Sequence, residues 1–75
     1  ADLKDPKSKL QEYLQKRNLQ LPIYSLKLKG SKEKKVDFKV FCEVKDLNMT
    51  ATGNGQSRKK AELNSAKKIL NKIEV

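Results

Sequence analysis

Three consecutive cations, Arg58, Lys59 and Lys60, directly follow Ser57. Serine is a favoured helix N-cap, so these bases fall in the first turn of a helix. The helix dipole is positive there, and each cation is unfavourable by roughly 0.3–1 kcal/mol. Folding alone would place Asp or Glu at these positions, and such local conflicts are expected at functional sites. Free backbone amides, the dipole and three cations together suit a phosphate. Gly53 and Gly55, just upstream, read as positions that let backbone approach a ligand closely. The competing reading is an ordinary basic helix in a lysine-rich chain. A phosphate-loop nucleotide site would need a longer glycine loop closed by Lys and then Ser or Thr. Here Ser57 precedes the bases, and the loop is too short.

A second group is Ser8, Gln11, Glu12 and Gln15. Their spacing puts hydroxyl, amide and carboxylate groups on one helix surface. The wide minor groove of A-form RNA displays 2′-hydroxyls and base edges that both donate and accept hydrogen bonds. Gln matches both functions, and Glu supplies acceptors. Taken alone, many surface helices carry such groups. A third group is the segment Gly30 to Lys35, with Lys32, Lys34 and Lys35. It reads either as a solvated charged loop or as one that enters a second groove.

Catalytic chemistry has little support. The chain has no histidine, and its acidic residues are scattered without a metal-ligand spacing. The lone Cys42 lies on the apolar side of a strand pattern and reads as an inert buried thiol. It allows neither an internal disulfide nor a zinc site, which fits a reducing cytoplasm. Tyr13, Tyr24 and Phe38 read as core residues, leaving Phe41 for an open sheet face. That argues against a stacking platform for single strands.

The 75 residues carry 18 basic and 9 acidic side chains, a net charge of +9. Such an excess points to a polyanionic partner. A domain this small buries only roughly 60 % of the surface its unfolded chain exposes, so a deep cleft for a small-molecule substrate is not expected. No apolar run approaches the roughly 20 residues of a membrane span, and no membrane partner is expected. The chain begins at Ala1, and we expect it to be a piece of something longer.

Asp5-Pro6 is a helix start, with Asp as cap and Pro at the first helical position. Leu10, Tyr13 and Leu14 form its apolar face, and the helix is expected to end near Arg17. A connector follows from Leu19 to Pro22. A strand over Ile23 to Lys29 places Tyr24, Leu26 and Leu28 on one side. A second strand carries Phe38, Val40, Cys42 and Val44 on one face and Asp37, Lys39, Phe41 and Glu43 on the other. Lys45 to Leu47 connect to a short third strand over about Asn48 to Thr52. Gly53-Asn54-Gly55-Gln56-Ser57 then breaks the pattern. The last helix runs from Arg58 to about Ile73, with Ala61, Ser65, Ala66, Ile69, Leu70 and Ile73 as its apolar stripe. The expected fold is α+β in the order α-β-β-β-α, a three-stranded antiparallel sheet with two helices on one face. Residues 1–4 read as a tail and residues 5–75 as one domain.

The run G-N-G-Q-S-R-K-K-A-E (Gly53 to Glu62) resembles the pattern G-x-G-x-S-K-K-x-A-K of double-stranded-RNA-binding domains. Pro22, Tyr24, Gly30, Phe38 and the last helix's apolar positions fit the same family. The opening D-P-K-S-K-L-Q-E-Y-L-Q (Asp5 to Gln15) is particularly similar to this domain in bacterial ribonuclease III. The resemblance implies binding of A-form duplex RNA by shape, with little sequence preference. Gln11 and Glu12 would meet one minor groove, with Ser8 and Gln15 as neighbours. Ser31, Lys32 and Lys34 are candidates for the next minor groove. Arg58 and Lys59 match the two leading bases that contact major-groove phosphates, and Lys60 sits at a variable position. Glu62 departs from the pattern, standing where many members carry a third lysine. The loop G-S-K-E-K-K also lacks the family's frequent Pro and His. The resemblance further implies that this domain has no cofactor or enzyme activity of its own. The parent would be a cytoplasmic, magnesium-dependent endonuclease that processes ribosomal RNA. The isolated domain is expected to be a monomer, and the parent a homodimer through its other domain. The rival readings are a protein-interaction module of the same fold with weak RNA affinity, and a ribosomal-type domain bound to one structured RNA site.

Overall fold

The computed structural model describes residues 5–28 and 37–74. The elements run α1 (Pro6–Lys16), β1 (Ile23–Leu28), β2 (Phe38–Val44), a 3-10 turn (Lys45–Leu47), β3 (Met49–Gly55) and α2 (Arg58–Glu74). This is the expected order, and the strands form one antiparallel sheet, β1-β2-β3.

Helix α1 begins as its residues dictate. Asp5 accepts a hydrogen bond from the Ser8 amide at 2.8 Å, and Pro6 holds the first position. Its end rests on Asn18, which adopts a left-handed φ of 56°. The Asn18 amide donates to the Gln15 carbonyl at 3.1 Å and the Leu19 amide to the Leu14 carbonyl at 2.9 Å. This double closure satisfies the last carbonyls of the helix, and it turns Leu19 back onto the core. The connector is pinned further along, where the Gln20 amide donates to the Asp46 carboxylate at 2.7 Å.

The register sorts the sheet's faces. Tyr24, Cys42 and Ala51 are neighbours on one face, as are Leu26, Val40 and Gly53. The other face carries Ile23, Glu43 and Thr50, then Ser25, Phe41 and Thr52. Helix α2 lies across β2 and β3, and α1 packs mainly against α2. The core joins Leu10 and Leu14 of α1, Cys42 and Val44 of β2, and Ala66, Ile69 and Leu70 of α2. Phe41 is on the open face as expected, with the Lys27 ammonium 5.5 Å from its ring centre.

Two expectations are corrected. Leu28 does not share a face with Tyr24 and Leu26. It pairs with Lys39 and is 44 % exposed. A bulge between Leu26 and Leu28 inserts one extra residue, and a one-residue slip reverses every later side chain. Strand β3 also does not stop at Thr52. Gly53, Asn54 and Gly55 continue it, paired with Val40, Lys39 and Phe38. Neither glycine has a positive φ, so they are not turn residues. A Cβ on Gly53 would run into the Ser65 nitrogen and the Ala61 oxygen, and one on Gly55 would come 2.7 Å from the Ala61 nitrogen. These glycines are where the strand meets the backbone of α2.

The outer edge of β3 is covered by side chains of α2. Lys72 Nζ donates to the Thr50 carbonyl at 2.6 Å and Lys68 Nζ to the Thr52 carbonyl at 2.7 Å, while the Asn64 side-chain amide donates to the Asn54 carbonyl. The periods match: four helical residues advance about 6 Å, close to the roughly 6.6 Å of two strand residues. Unpaired strand edges are templates for association. Lys68→Ala combined with Lys72→Ala is therefore expected to increase self-association with concentration. Sedimentation would show it, and an unchanged mass across concentrations would refute this role for the lysines.

Candidate nucleic-acid interface

The polar face of α1 is rigidly presented because Leu10 and Leu14 on the opposite side are fully buried. Ser8, Gln11 and Gln15 are exposed and Glu12 is half-buried. Gln11 also lines a shallow recess with Lys7, Leu21, Pro22 and Tyr24. The Asp5 carboxyl lies below its ordinary value, chiefly through the hydrogen bond from the Ser8 amide, with Lys59 and Lys7 nearby adding to the effect.

At the start of α2, Ser57 acts as the expected cap. Its hydroxyl accepts from the Lys60 amide at 3.2 Å, and its carbonyl accepts from the Ala61 amide at 2.9 Å. Arg58, Lys59 and Lys60 are all exposed.

The two helix starts are joined by Glu62. Its Oε1 receives Lys7 Nζ at 2.6 Å and its Oε2 receives Arg58 Nε at 3.0 Å. The Glu62 side chain is only 14 % exposed. Burial raises its carboxyl, but the hydrogen bonds from Lys7 and Arg58 outweigh that and hold it below the ordinary carboxylate value. Lys7 also sits 4.8 Å from the Tyr24 ring centre. Arg58 uses its Nε on Glu62 while the side chain stays 56 % exposed. A guanidinium has five donors, so this contact leaves capacity for a phosphate.

The structure thus gathers Ser8, Gln11, Glu12 and Gln15 on α1 and brings the start of that helix beside the bases of α2. Ser31, Lys32 and Lys34 lie outside the described residues. Sequence reasoning missed Lys7 and the bridging role of Glu62. Their contact spans 55 positions, and the only local signal was an acid standing inside a basic run. The buried side of the same region is chemically quiet. Tyr24 and Cys42 face each other across β1 and β2, and burial pushes both the hydroxyl and the thiol up. A raised thiol is a poor nucleophile. Among the described residues, no three acidic or thiol groups gather as metal ligands.

The family model for the double-stranded RNA binding motif matches residues 6–73. The chain belongs to the double-stranded RNA binding motif family. This motif is 47 % identical over 73 residues to Ribonuclease 3 of Pasteurella multocida (strain Pm70), covering 96 % of the chain and 32 % of that protein. It is 42 % identical over 72 residues to Ribonuclease 3 of Blochmanniella pennsylvanica (strain BPEN), covering 95 % of the chain and 31 % of that protein. The motif thus spans about a third of the length of these relatives. Among solved structures it is similar to RDE-4(150-235), with a TM-score of 0.73 and 27 % identity over 99 % of this chain and 80 % of that one. The second dsRBD of HYL1 superposes with a TM-score of 0.65 and 28 % identity, over 93 % and 99 % of the two chains. Among the described residues, no helix of the motif is long and apolar enough to cross a membrane.

Proposed function

We propose that this chain binds A-form double-stranded RNA by shape, with little sequence preference, as the substrate-binding domain of a ribonuclease III. The observation that carries the reading is the junction of two recognition surfaces. The polar face of α1 suits a minor groove lined with 2′-hydroxyls, and the basic start of α2 suits phosphates. The Glu62 bridge sets them side by side. Gln11 and Glu12 are the groove-reading residues, with Ser8 and Gln15 flanking them. Arg58, Lys59 and Lys60 meet phosphates, and Ser31, Lys32 and Lys34 are candidates for a second groove. This domain is a binding module and not the catalytic part. The remainder of the parent supplies a magnesium-dependent endonuclease that acts in the cytoplasm on ribosomal RNA precursors. The domain alone is monomeric, and the parent dimerises through its catalytic part.

The deciding experiment titrates the domain against three partners at fixed, near-physiological salt: an RNA duplex of about 20 base pairs, longer than the roughly 16 that such domains span, a DNA duplex of the same sequence, and one RNA strand alone. Preference for the RNA duplex supports the reading. Equal binding to all three reduces it to a generic basic patch. Absence of binding favours the protein-interaction module instead. Within the same assay, Gln11→Ala and Glu12→Ala are each expected to lower the RNA-over-DNA preference roughly two- to tenfold, the worth of a typical net hydrogen bond. Full discrimination in both variants would refute the assignment of α1 to the minor groove.

A further inference from the structure

We propose that Glu62 is a specificity-determining positioning residue, a carboxylate clasp that favours RNA over DNA by tying the groove-reading helix to the phosphate-binding helix. The inference rests on the proposed duplex-RNA function. A carboxylate inside a phosphate-binding surface works against affinity, because it competes for the cations whose pairing with phosphates releases counterions. Glu62 nevertheless takes the place beside Lys7 and Arg58 and is only 14 % exposed. Its two oxygens hold one base from each helix, and those bases are 51 residues apart in the chain. Lys7 is seated a second time, against the Tyr24 ring of β1. Helix α1, β1 and α2 are therefore linked through the Lys7–Glu62 pair.

Two effects follow, and both act on discrimination. Geometrically, core packing brings the two helices together, and the clasp holds the α1 polar face and the α2 bases at one separation within that arrangement. A ligand satisfies both surfaces only if its minor groove and phosphates have that same separation. A-form and B-form duplexes differ in groove width and depth, so a rigid separation accepts one and penalises the other. Electrostatically, Glu62 neutralises part of the local positive charge. It thereby weakens the sequence- and shape-independent attraction that any polyanion enjoys. Specificity is a difference of affinities, and suppressing the wrong partner contributes as much as attracting the right one.

The test compares Glu62→Gln and Lys7→Met with the unsubstituted domain. Each is titrated with the same RNA and DNA duplexes over a range of salt, after a thermal melt that establishes folding. For Glu62→Gln, the expected result is DNA affinity about twofold higher or more, since removing the acid frees two cations. Its RNA-to-DNA preference falls about threefold or more, on the scale of one hydrogen bond. Lys7→Met breaks the clasp and keeps the acid. Its preference also falls, while its affinity for DNA does not rise. A structural role alone would lower the melting temperature without moving the preference. If the unsubstituted domain prefers RNA and both variants keep that preference within about twofold, the clasp proposal is overturned and the function stands. If the unsubstituted domain shows no preference, the function itself fails and the clasp proposal falls with it. Should Glu62→Gln not fold, the preference of Lys7→Met decides alone.

Discussion

Lys59→Ala is expected to weaken binding to duplex RNA roughly ten- to hundredfold, because a hydrogen bond to a charged group is worth about 1.5–3 kcal/mol. The loss should be the same for unrelated duplex sequences, since a phosphate contact carries no base information. The dependence of log affinity on log salt should become shallower by roughly 0.9, one phosphate's worth of counterions. Folding stability should not fall with it. Lys59 stands in the first turn of α2, where a cation opposes the dipole by roughly 0.3–1 kcal/mol. The neighbouring Asp5 carboxylate offsets part of that opposition. Binding and melting temperature are thus expected to separate, the first dropping and the second holding or rising slightly. Unchanged affinity at matched salt would remove Lys59 from the interface.

Gly53→Ala is expected to destabilise the fold by about 3 kcal/mol or more, at or above the usual range for overpacking. The added methyl would occupy the space of the Ser65 nitrogen and the Ala61 oxygen, and would come 2.8 Å from the Asn64 carbonyl carbon. These are backbone atoms of α2, and no side-chain rotation can move them aside. Relief requires lifting the helix off β3 over buried Ala61 and Ser65. Domains of this kind hold only about 5–15 kcal/mol in total, so a large share of the stability is at risk. Denaturant unfolding measures it directly. A loss under about 1 kcal/mol would show that the strand and helix can part without cost, and the close approach would lose its significance. Gly55→Ala should cost less, because one of its near neighbours is the Lys60 side chain, which can shift.

The parts legible in the sequence were local. Asp5-Pro6 and Ser57 announced both helix starts because capping involves residues within one turn. The alternation from Phe38 to Val44 announced β2 and its buried face, since side chains in a strand alternate wherever the strand lies. The conflict of three cations with a helix dipole marked the proposed phosphate site, and that too is a first-turn property. The rest depended on partners distant in the chain. Gly53 and Gly55 read as a break because glycine is a poor strand former, and only the presence of α2 above them makes glycine the residue that fits. Leu28 read as sharing a side with Tyr24 and Leu26 because a bulge in β1 is invisible to a simple period of two. Glu62 read as a departure from the family pattern because Lys7, which explains it, lies 55 residues earlier.

The sequence by itself therefore determined the order of elements, both caps, the apolar stripes and the positions of the basic and polar surfaces, because each follows from neighbours a few residues apart. The tertiary structure alone decided how far β3 extends, which carbonyls Lys68 and Lys72 cover, and how the polar face of α1 is joined to the basic start of α2. Those outcomes depend on where α2 comes to rest across the sheet, and that position is set by the packing of α1, α2 and the sheet together.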